Sequence, residues 1–161
     1  MIDQLRHILD KREIALISPL EGVPRGLFDT ARTCTEVKGD FVLCKFVGVR
    51  DLNCPFELHF GRKKSAFRFN FFIGLGAEFH NYTDCSTPDN AADAIGDLEL
   101  FLRSKVVCEM HSDAKRLRRV VYSLDKLVVE GVPVHLEYRT GTFWPLYRDV
   151  LTVKEYAQWL S

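Results

Sequence analysis

The chain has 161 residues, of which 47% are apolar and 27% charged, with 22 basic and 22 acidic side chains. These proportions are typical of a folded globular chain and exclude a largely disordered one. The equal numbers of acids and bases argue against a general binder of nucleic acid or of anionic membranes. No apolar run approaches the roughly 20 residues that span a bilayer, so no membrane partner is expected.

The cysteines and the start of the chain bear on its location. Five cysteines form an odd, widely spaced set without a Cys-x-x-Cys motif, which is typical of reduced thiols in a reducing compartment. The first residues, Met1 to His7, contain no basic stretch followed by an apolar one, as a secretory leader would. We therefore expect a cytoplasmic protein with a single domain spanning residues 1–161.

The first forty residues predict one short helix and then an irregular connection. Ile2, Leu5, Ile8 and Leu9 lie at helical spacing, which predicts an amphipathic helix over residues 2 to about 17. Prolines and glycines follow without a clean period. Residues 18–40 are therefore predicted to be a loop.

An aromatic segment from Phe67 to Tyr82 is expected to form the centre of the fold. Three of its phenylalanines alternate with polar residues, a period of two that places three rings on one face of a sheet. Gly74 to Gly76 then predicts a turn or bulge. Two earlier segments, Phe41–Val49 and Phe56–Phe60, are predicted to be strands as well. Together they predict a meander of up to four antiparallel strands.

The loops and helices around this meander are also predicted from local patterns. The basic run Gly61 to Ser65 predicts a hairpin loop. Thr87, Pro88 and Asp89 form a favourable helix start, and the apolar residues up to Leu102 follow at helical spacing.

The last third of the chain predicts two more strands and two more helices. Val106–Cys108 is predicted to be a strand, and Ser112 is a candidate cap for a second long helix ending near Val129. Val132–Tyr138 alternates as an edge strand, because its proline cannot donate to a ladder. Thr152–Glu155 matches a capping box and predicts a last short helix. The predicted fold is α+β: an antiparallel meander sheet of about four to six strands, with helices packed on one face.

Metal and cofactor chemistry is not predicted. Cys108 and His111, or the group His80, Asp84 and Cys85, have metal-ligand types at workable spacing. A structural zinc site usually has two such pairs, and the second is missing here. We therefore expect no metal and no cofactor.

Catalytic motifs are absent as well. The sequence has no nucleophile elbow and no phosphate-binding loop, so no catalytic residue is predicted. Glu57, His59, Glu78 and His80 lie on strand-like segments, where they could act as acid and base. Cross-strand polar pairing is the commoner explanation. A small hydrolase or a ligand-binding α+β enzyme using His59, Glu78 and His80 remains as an alternative.

Charge is strongly segregated along the chain. No Lys or Arg occurs between Phe69 and Leu102, while six acids do. These six are the predicted partner-binding residues: Glu78, Asp84, Asp89, Asp93, Asp97 and Glu99. Asp89, Asp93 and Asp97 lie four residues apart, which aligns them on one face of a helix. An acidic helix face of this kind suits a basic protein partner, because complementary charge speeds encounter and fixes register.

A basic segment follows and suggests a second alternative. Lys115, Arg116, Arg118 and Arg119 come close together beside Tyr122. With the run Arg62 to Lys64 they could contact phosphate, as in a nucleic-acid-associated accessory protein. No recognised nucleic-acid motif accompanies them, which favours a solvated face or a charge partner for the acids.

The general layout over about residues 41–130 resembles the immunity proteins that bacteria pair with polymorphic or contact-dependent toxins. The resemblance rests on the aromatic meander and the acid-lined helix from Asp89 to Glu99. It implies a cytoplasmic, non-catalytic inhibitor whose acidic surface meets a cationic toxin domain, such as a nuclease. It carries over no catalytic residue and leaves the oligomeric state open.

Overall fold

The computed structural model describes residues 5–63, 66–82, 84–112, 116–129, 131–140 and 150–160. This part of the chain contains two antiparallel sheets, two α-helices and three short 3₁₀ helices, Ser18–Gly22, Arg25–Leu27 and Val49–Asp51. The chain is therefore α+β, as predicted. No helix in these ranges is long and apolar enough to cross a membrane.

The first sheet is a five-stranded antiparallel meander with its strands in sequence order. Its strands are β1 (Cys34–Lys38), β2 (Phe41–Phe46), β3 (Phe56–Lys63), β4 (Ala66–Ile73) and β5 (Ala77–Tyr82). The predicted meander is confirmed, and the turn at Gly74 to Gly76 joins β4 to β5. The predicted hairpin loop is wrong in extent, because β3 continues through Lys63 and pairs with Ala66. Lys64 and Ser65 lie outside the described residues.

Strand β1 falls where the sequence predicted a loop. Four of its five residues are exposed, so it has no alternating apolar pattern to mark it as a strand. Instead, β1 is a strand because its backbone pairs with that of β2. The pairs run from Cys34 opposite Lys45 to Lys38 opposite Phe41.

The second sheet has four antiparallel strands in the order β8, β7, β6, β9. Its strands are β6 (Val106–Ser112), β7 (Leu117–Val129), β8 (Val132–Arg139) and β9 (Val150–Tyr156). The predicted strand at Val106 and the predicted edge strand at Val132 are confirmed. The long helix from Ser112 and the short helix from Thr152 are wrong.

Strand pairing explains both of these errors. β7 is rich in valine and buries Val120, Tyr122 and Leu124 on alternate residues, a period that suits a strand. β9 is also rich in β-branched residues, and Val153 pairs with Glu109 of β6. The local capping signal at Thr152 gives way to these long-range hydrogen bonds.

The two α-helices begin at well-formed caps. Helix α1 (Lys11–Leu16) begins after Asp10, whose carboxylate accepts from the backbone amides of Arg12 and Glu13. The predicted first helix is therefore shorter than expected, and residues 2–4 of the predicted span lie outside the described range. Helix α2 (Pro88–Arg103) begins after Thr87, as predicted, and Thr87 accepts a hydrogen bond from the amide of Asn90.

Aromatic rings join α2 and the end of the chain to the first sheet. The Phe101 ring of α2 lies 5.2 Å from the rings of both Phe56 and Phe71. Trp159 stacks on Phe28 at 4.9 Å, and its indole nitrogen donates to the backbone oxygen of Cys54 at 3.0 Å. One face of the meander is therefore core, and the opposite face carries Phe72, Asn70 and His59.

Candidate functional site

Helix α2 places most of the predicted acids on the surface. It buries Ala94, Leu98, Phe101 and Leu102, and its exposed residues lie on the sides that do not face the core. Asp89, Asp93 and Asp97 share the turn-by-turn spacing of one helix side. These three residues are called the acidic helix face below. Asp89 and Asp93 are exposed, whereas Asp97 is partly buried.

Asp97 holds the helix against strand β5. Its Oδ2 accepts a hydrogen bond from the Tyr82 hydroxyl at 2.7 Å, and the same oxygen lies 2.7 Å from His80 Nδ1. The His80 ring stacks on Tyr82 with 4.1 Å between centroids. Burial raises the pKa of Tyr82, and so do its hydrogen bond to Asp97 and the negative charges of Asp97 and Asp93. Tyr82 is thus a neutral donor, and Asp97 is a structural acceptor between two elements.

Two of the other predicted acids are occupied within the chain. Glu99 forms an ion pair with Arg103 one turn later, with 2.9 Å between Oε1 and Nε. Asp84 lies in the turn before α2, where its Oδ1 accepts from the Ser86 amide at 2.9 Å. This hydrogen bond lowers the pKa of Asp84. Both acids therefore have local partners that shape the helix or its entry.

Glu78 does not join the acids of α2. A β-bulge shifts the register of β4 and β5 between Phe71 and Phe72, so that Phe72 pairs with Glu78 while Phe71 pairs with His80. Glu78 therefore lies on the outer face of the sheet with Phe72, while His80 and Tyr82 point towards α2. Of the six predicted residues, the structure leaves Asp89 and Asp93 as exposed acids on one helix side.

The alternative acid–base group is not assembled. His59 Nε2 lies 3.2 Å from Glu57 Oε2, and Glu57 also contacts Lys45 at 3.3 Å. His80 is bound to Asp97 on the other face of the sheet. His59, Glu78 and His80 therefore belong to two different surroundings and do not share a cleft.

The thiols near the predicted ligand groups are buried. Burial raises the pKa of Cys85 to about 11, and burial also raises the pKa of Cys108. Both thiols are therefore protonated near neutral pH, which makes them poor nucleophiles. The described residues contain no group of three or more His, Cys, Asp or Glu side chains that could hold a metal ion.

The predicted basic helix face is part of a sheet. Arg118 and Arg119 lie on β7, and Arg119 Nε contacts Glu137 Oε1 of β8 at 2.7 Å. Arg62 on β3 binds Glu13 in the first helix. Lys115 lies outside the described residues. The bases therefore do not form the single helix face that the sequence suggested.

The sequence reading missed a cavity on the outer face of the first sheet. It has a volume of about 350 Å³, and its lining includes Phe41, Gly61 and Arg68, which lie side by side on β2, β3 and β4. The alternation around Gly61 and Arg68 could have indicated which residues point outward. It could not have shown that three strands bring them together.

Removing the partly buried acid of α2 and removing an exposed one should have different effects on stability. We expect Asp97→Ala to destabilise the fold by about 1.5–3 kcal/mol, because it removes a charged acceptor from the buried Tyr82 hydroxyl. Asp93→Ala should change stability by less than about 0.5 kcal/mol, because its side chain is exposed. Urea denaturation of both variants measures this difference. Equal effects would contradict the structural role of Asp97.

No protein-family model, curated protein or solved structure matches this chain in the three comparisons made.

Proposed function

We propose that this chain is a cytoplasmic protein-binding inhibitor, an immunity protein that neutralises a basic toxin domain by docking it on the acidic helix face. The observation that carries the proposal is the exposure of Asp89 and Asp93. Neither forms an ion pair within the described part of the chain, although the protein has as many bases as acids. Like charges one turn apart are mildly unfavourable in an isolated helix, and a cationic partner would relieve that repulsion.

The shape of this surface favours a protein partner over a small ligand. Asp89 and Asp93 are exposed on α2, and the surface of a helix is convex and provides no enclosing walls. Small-molecule sites are usually concave and enclose most of their ligand. A protein surface with complementary charge can instead cover several turns of a helix, gaining association rate and orientation.

Asp97 and Glu99 would play secondary parts in such an interface. Asp97 is held by Tyr82 and His80, which fixes α2 on the sheet and so presents a rigid surface. Glu99 must exchange or share its contact with Arg103 to meet a new cation. We therefore expect Asp89 and Asp93 to contribute most of the charge that the partner contacts.

The test uses single charge reversals with a matched control. Asp93→Lys should weaken binding to the partner by about tenfold or more and reduce its dependence on salt, because it replaces attraction by repulsion. Glu155→Lys makes the same change of charge at an exposed position on β9 of the second sheet, and should leave the affinity within about twofold. Titration calorimetry at two salt concentrations measures both.

The partner is obtained by capture on the wild-type chain from its native cells, and its toxicity is then assayed directly. Expression of the captured protein should arrest growth, and co-expression of the wild-type chain should restore it. Asp93→Lys should protect less well than Glu155→Lys at equal protein levels. Equal protection and equal affinity for both variants would contradict docking on the acidic helix face, and a harmless partner would contradict the inhibitor function.

A further inference from the structure

The outer face of the first sheet contains a cavity that the acidic helix face does not use. Gly61 of β3 pairs with Phe41 of β2 on one side and with Arg68 of β4 on the other. These three positions lie on the outer face of the sheet, because the alternate residues of β3, Phe60 and Leu58, are buried on the inner face. A Cβ added at Gly61 would lie 3.3 Å from Arg68 Cβ. The missing side chain at Gly61 contributes to a cavity of about 350 Å³ whose lining includes Phe41 and Arg68.

The charges around this cavity favour an anion. Three of the lining residues are basic, namely Lys38, Lys63 and Arg68, and Asp40 is the acid among them. Lys38 contacts Glu36 at 2.6 Å. Lys63 and Arg68 form no ion pair with any residue in the described ranges. The guanidinium fork of Arg68 matches the oxygens of a phosphate, and Lys63 adds a second positive charge.

The aromatic side of the cavity favours a flat ring. Phe41 is 38% exposed and is the first residue of β2, next to the hairpin turn at Gly39 and Asp40. The His59 ring meets it edge-on at 5.4 Å and is itself held by Glu57 at 3.2 Å and by the ring of Phe72 at 4.7 Å. An exposed ring in a fixed setting is a stacking surface for a nucleobase.

We propose that this cavity binds a nucleoside monophosphate, with the phosphate on Arg68 and Lys63 and the base on Phe41. Its volume falls within the range of about 300–1,000 Å³ that is usual for small-molecule sites. Asn70 also lines the cavity and supplies both a donor and an acceptor for the ring edge or the sugar. This inference does not depend on the acidic helix face, and either could fail without the other.

Calorimetric titration of the full chain with three probes tests the proposal. AMP should bind, while adenosine and ribose 5-phosphate, which lack the phosphate and the base respectively, should each bind at least about tenfold more weakly. Amide chemical shifts in an NMR titration with AMP should move most at Gly61, Phe41 and Arg68. Equal binding of AMP and adenosine would overturn the phosphate site, and equal binding of AMP and ribose 5-phosphate would overturn the stacking surface.

Two variants locate the site. Lys63→Ala/Arg68→Ala should weaken AMP binding at least about tenfold, whereas Lys126→Ala, at an exposed lysine on β7, should leave it unchanged. Gly61→Val should also block the cavity, and valine is favoured in strands, so the fold should persist. Absence of AMP binding to the wild-type chain, or full binding by both cavity variants, would refute the proposal.

Discussion

Gly74→Ala is expected to destabilise the protein by about 3 kcal/mol or more, the largest loss expected from any glycine in the first sheet. Gly74 has a φ of +58° in the turn between β4 and β5. An added Cβ there would overlap the hydroxyl and the ring of Tyr122. Tyr122 is buried on β7, so its ring has no solvent into which it can turn.

This contact joins the two sheets, which is why the effect should be large. The Leu75 amide donates a hydrogen bond to the Tyr122 hydroxyl at 2.8 Å, and the Gly74 amide donates to the backbone oxygen of Pro55 at 2.7 Å. Moving the turn away from Tyr122 would break the first bond, and the second bond restrains Gly74 from moving. The variant must therefore accept either a strained turn or a displaced second sheet.

Two other glycines separate the cost of backbone strain from the cost of the clash with Tyr122. Gly39 also has a φ of +58° but has no atom within 4 Å of an added Cβ. Gly39→Ala should therefore cost only the backbone strain, about 1 kcal/mol. Gly96 lies in α2 with open space around it, and Gly96→Ala should stabilise by about 0.5–1 kcal/mol. Urea denaturation of the three variants should place them in this order.

Removing the opposing ring should relieve much of the loss. In a Tyr122→Leu background, which lacks the ring atoms and the hydroxyl, Gly74→Ala should cost close to the value measured for Gly39→Ala. A cost of Gly74→Ala that equals that of Gly39→Ala in the wild-type background would mean that Tyr122 does not restrict this turn.

The elements that the sequence predicted well are those with strong local signals. The alternation of phenylalanines across β3 and β4, the glycine turn before β5 and the Thr87 cap of α2 all act over a few residues. Each of these signals agrees with the tertiary contacts that the segment makes, so the local sequence pattern was sufficient to predict the element.

The errors occur where pairing between strands decides the structure. β7 contains basic residues at spacings that also occur on helices, and only its pairing with β6 and β8 selects the strand. β1 is polar and exposed, and it exists because β2 lies beside it. β9 pairs with β6, a strand far from it along the chain, and the local sequence of β9 does not reveal that partner.

The candidate site was predictable in the same partial way. Helical spacing was enough to place Asp89, Asp93 and Asp97 on one side of α2. It could not show that Asp97 accepts a hydrogen bond from the Tyr82 hydroxyl, because that bond depends on how α2 packs on β5. Nor could it show that a bulge at Phe72 sends Glu78 to the other face. The number of acids available to a partner is therefore smaller than the sequence suggests.

The second large effect is expected at the ion pair that fixes the first helix to the sheet. Glu13 is fully buried, and both of its oxygens lie 2.6 Å from nitrogens of Arg62. Arg62 also donates to the Ile8 backbone oxygen at 2.8 Å, and the Asp10 amide donates to Glu13 at 2.8 Å. These contacts satisfy a carboxylate that would otherwise be buried without a partner.

Arg62→Met should therefore destabilise the fold by about 3–5 kcal/mol, because it leaves the Glu13 carboxylate buried and uncompensated. Glu13→Leu should cost less, since the Arg62 side chain is 26% exposed and its guanidinium can move further into water. The double variant Glu13→Leu/Arg62→Met should recover most of the loss, because an apolar pair of similar volume often replaces a buried ion pair at little cost.

An exposed ion pair near the same helix provides the control. Arg6 and Glu21 lie 3.0 Å apart with side chains 56% and 54% exposed, and Arg6→Met should cost less than about 1 kcal/mol. Urea denaturation of the four variants yields the coupling between Glu13 and Arg62 from the double-mutant cycle. A double variant as unstable as Arg62→Met would mean that an apolar pair of similar volume cannot replace the ion pair, because the surrounding polar groups need its hydrogen bonds. An Arg62→Met variant no less stable than Arg6→Met would contradict the burial of the Glu13 carboxylate, on which the attachment of α1 to the sheet depends.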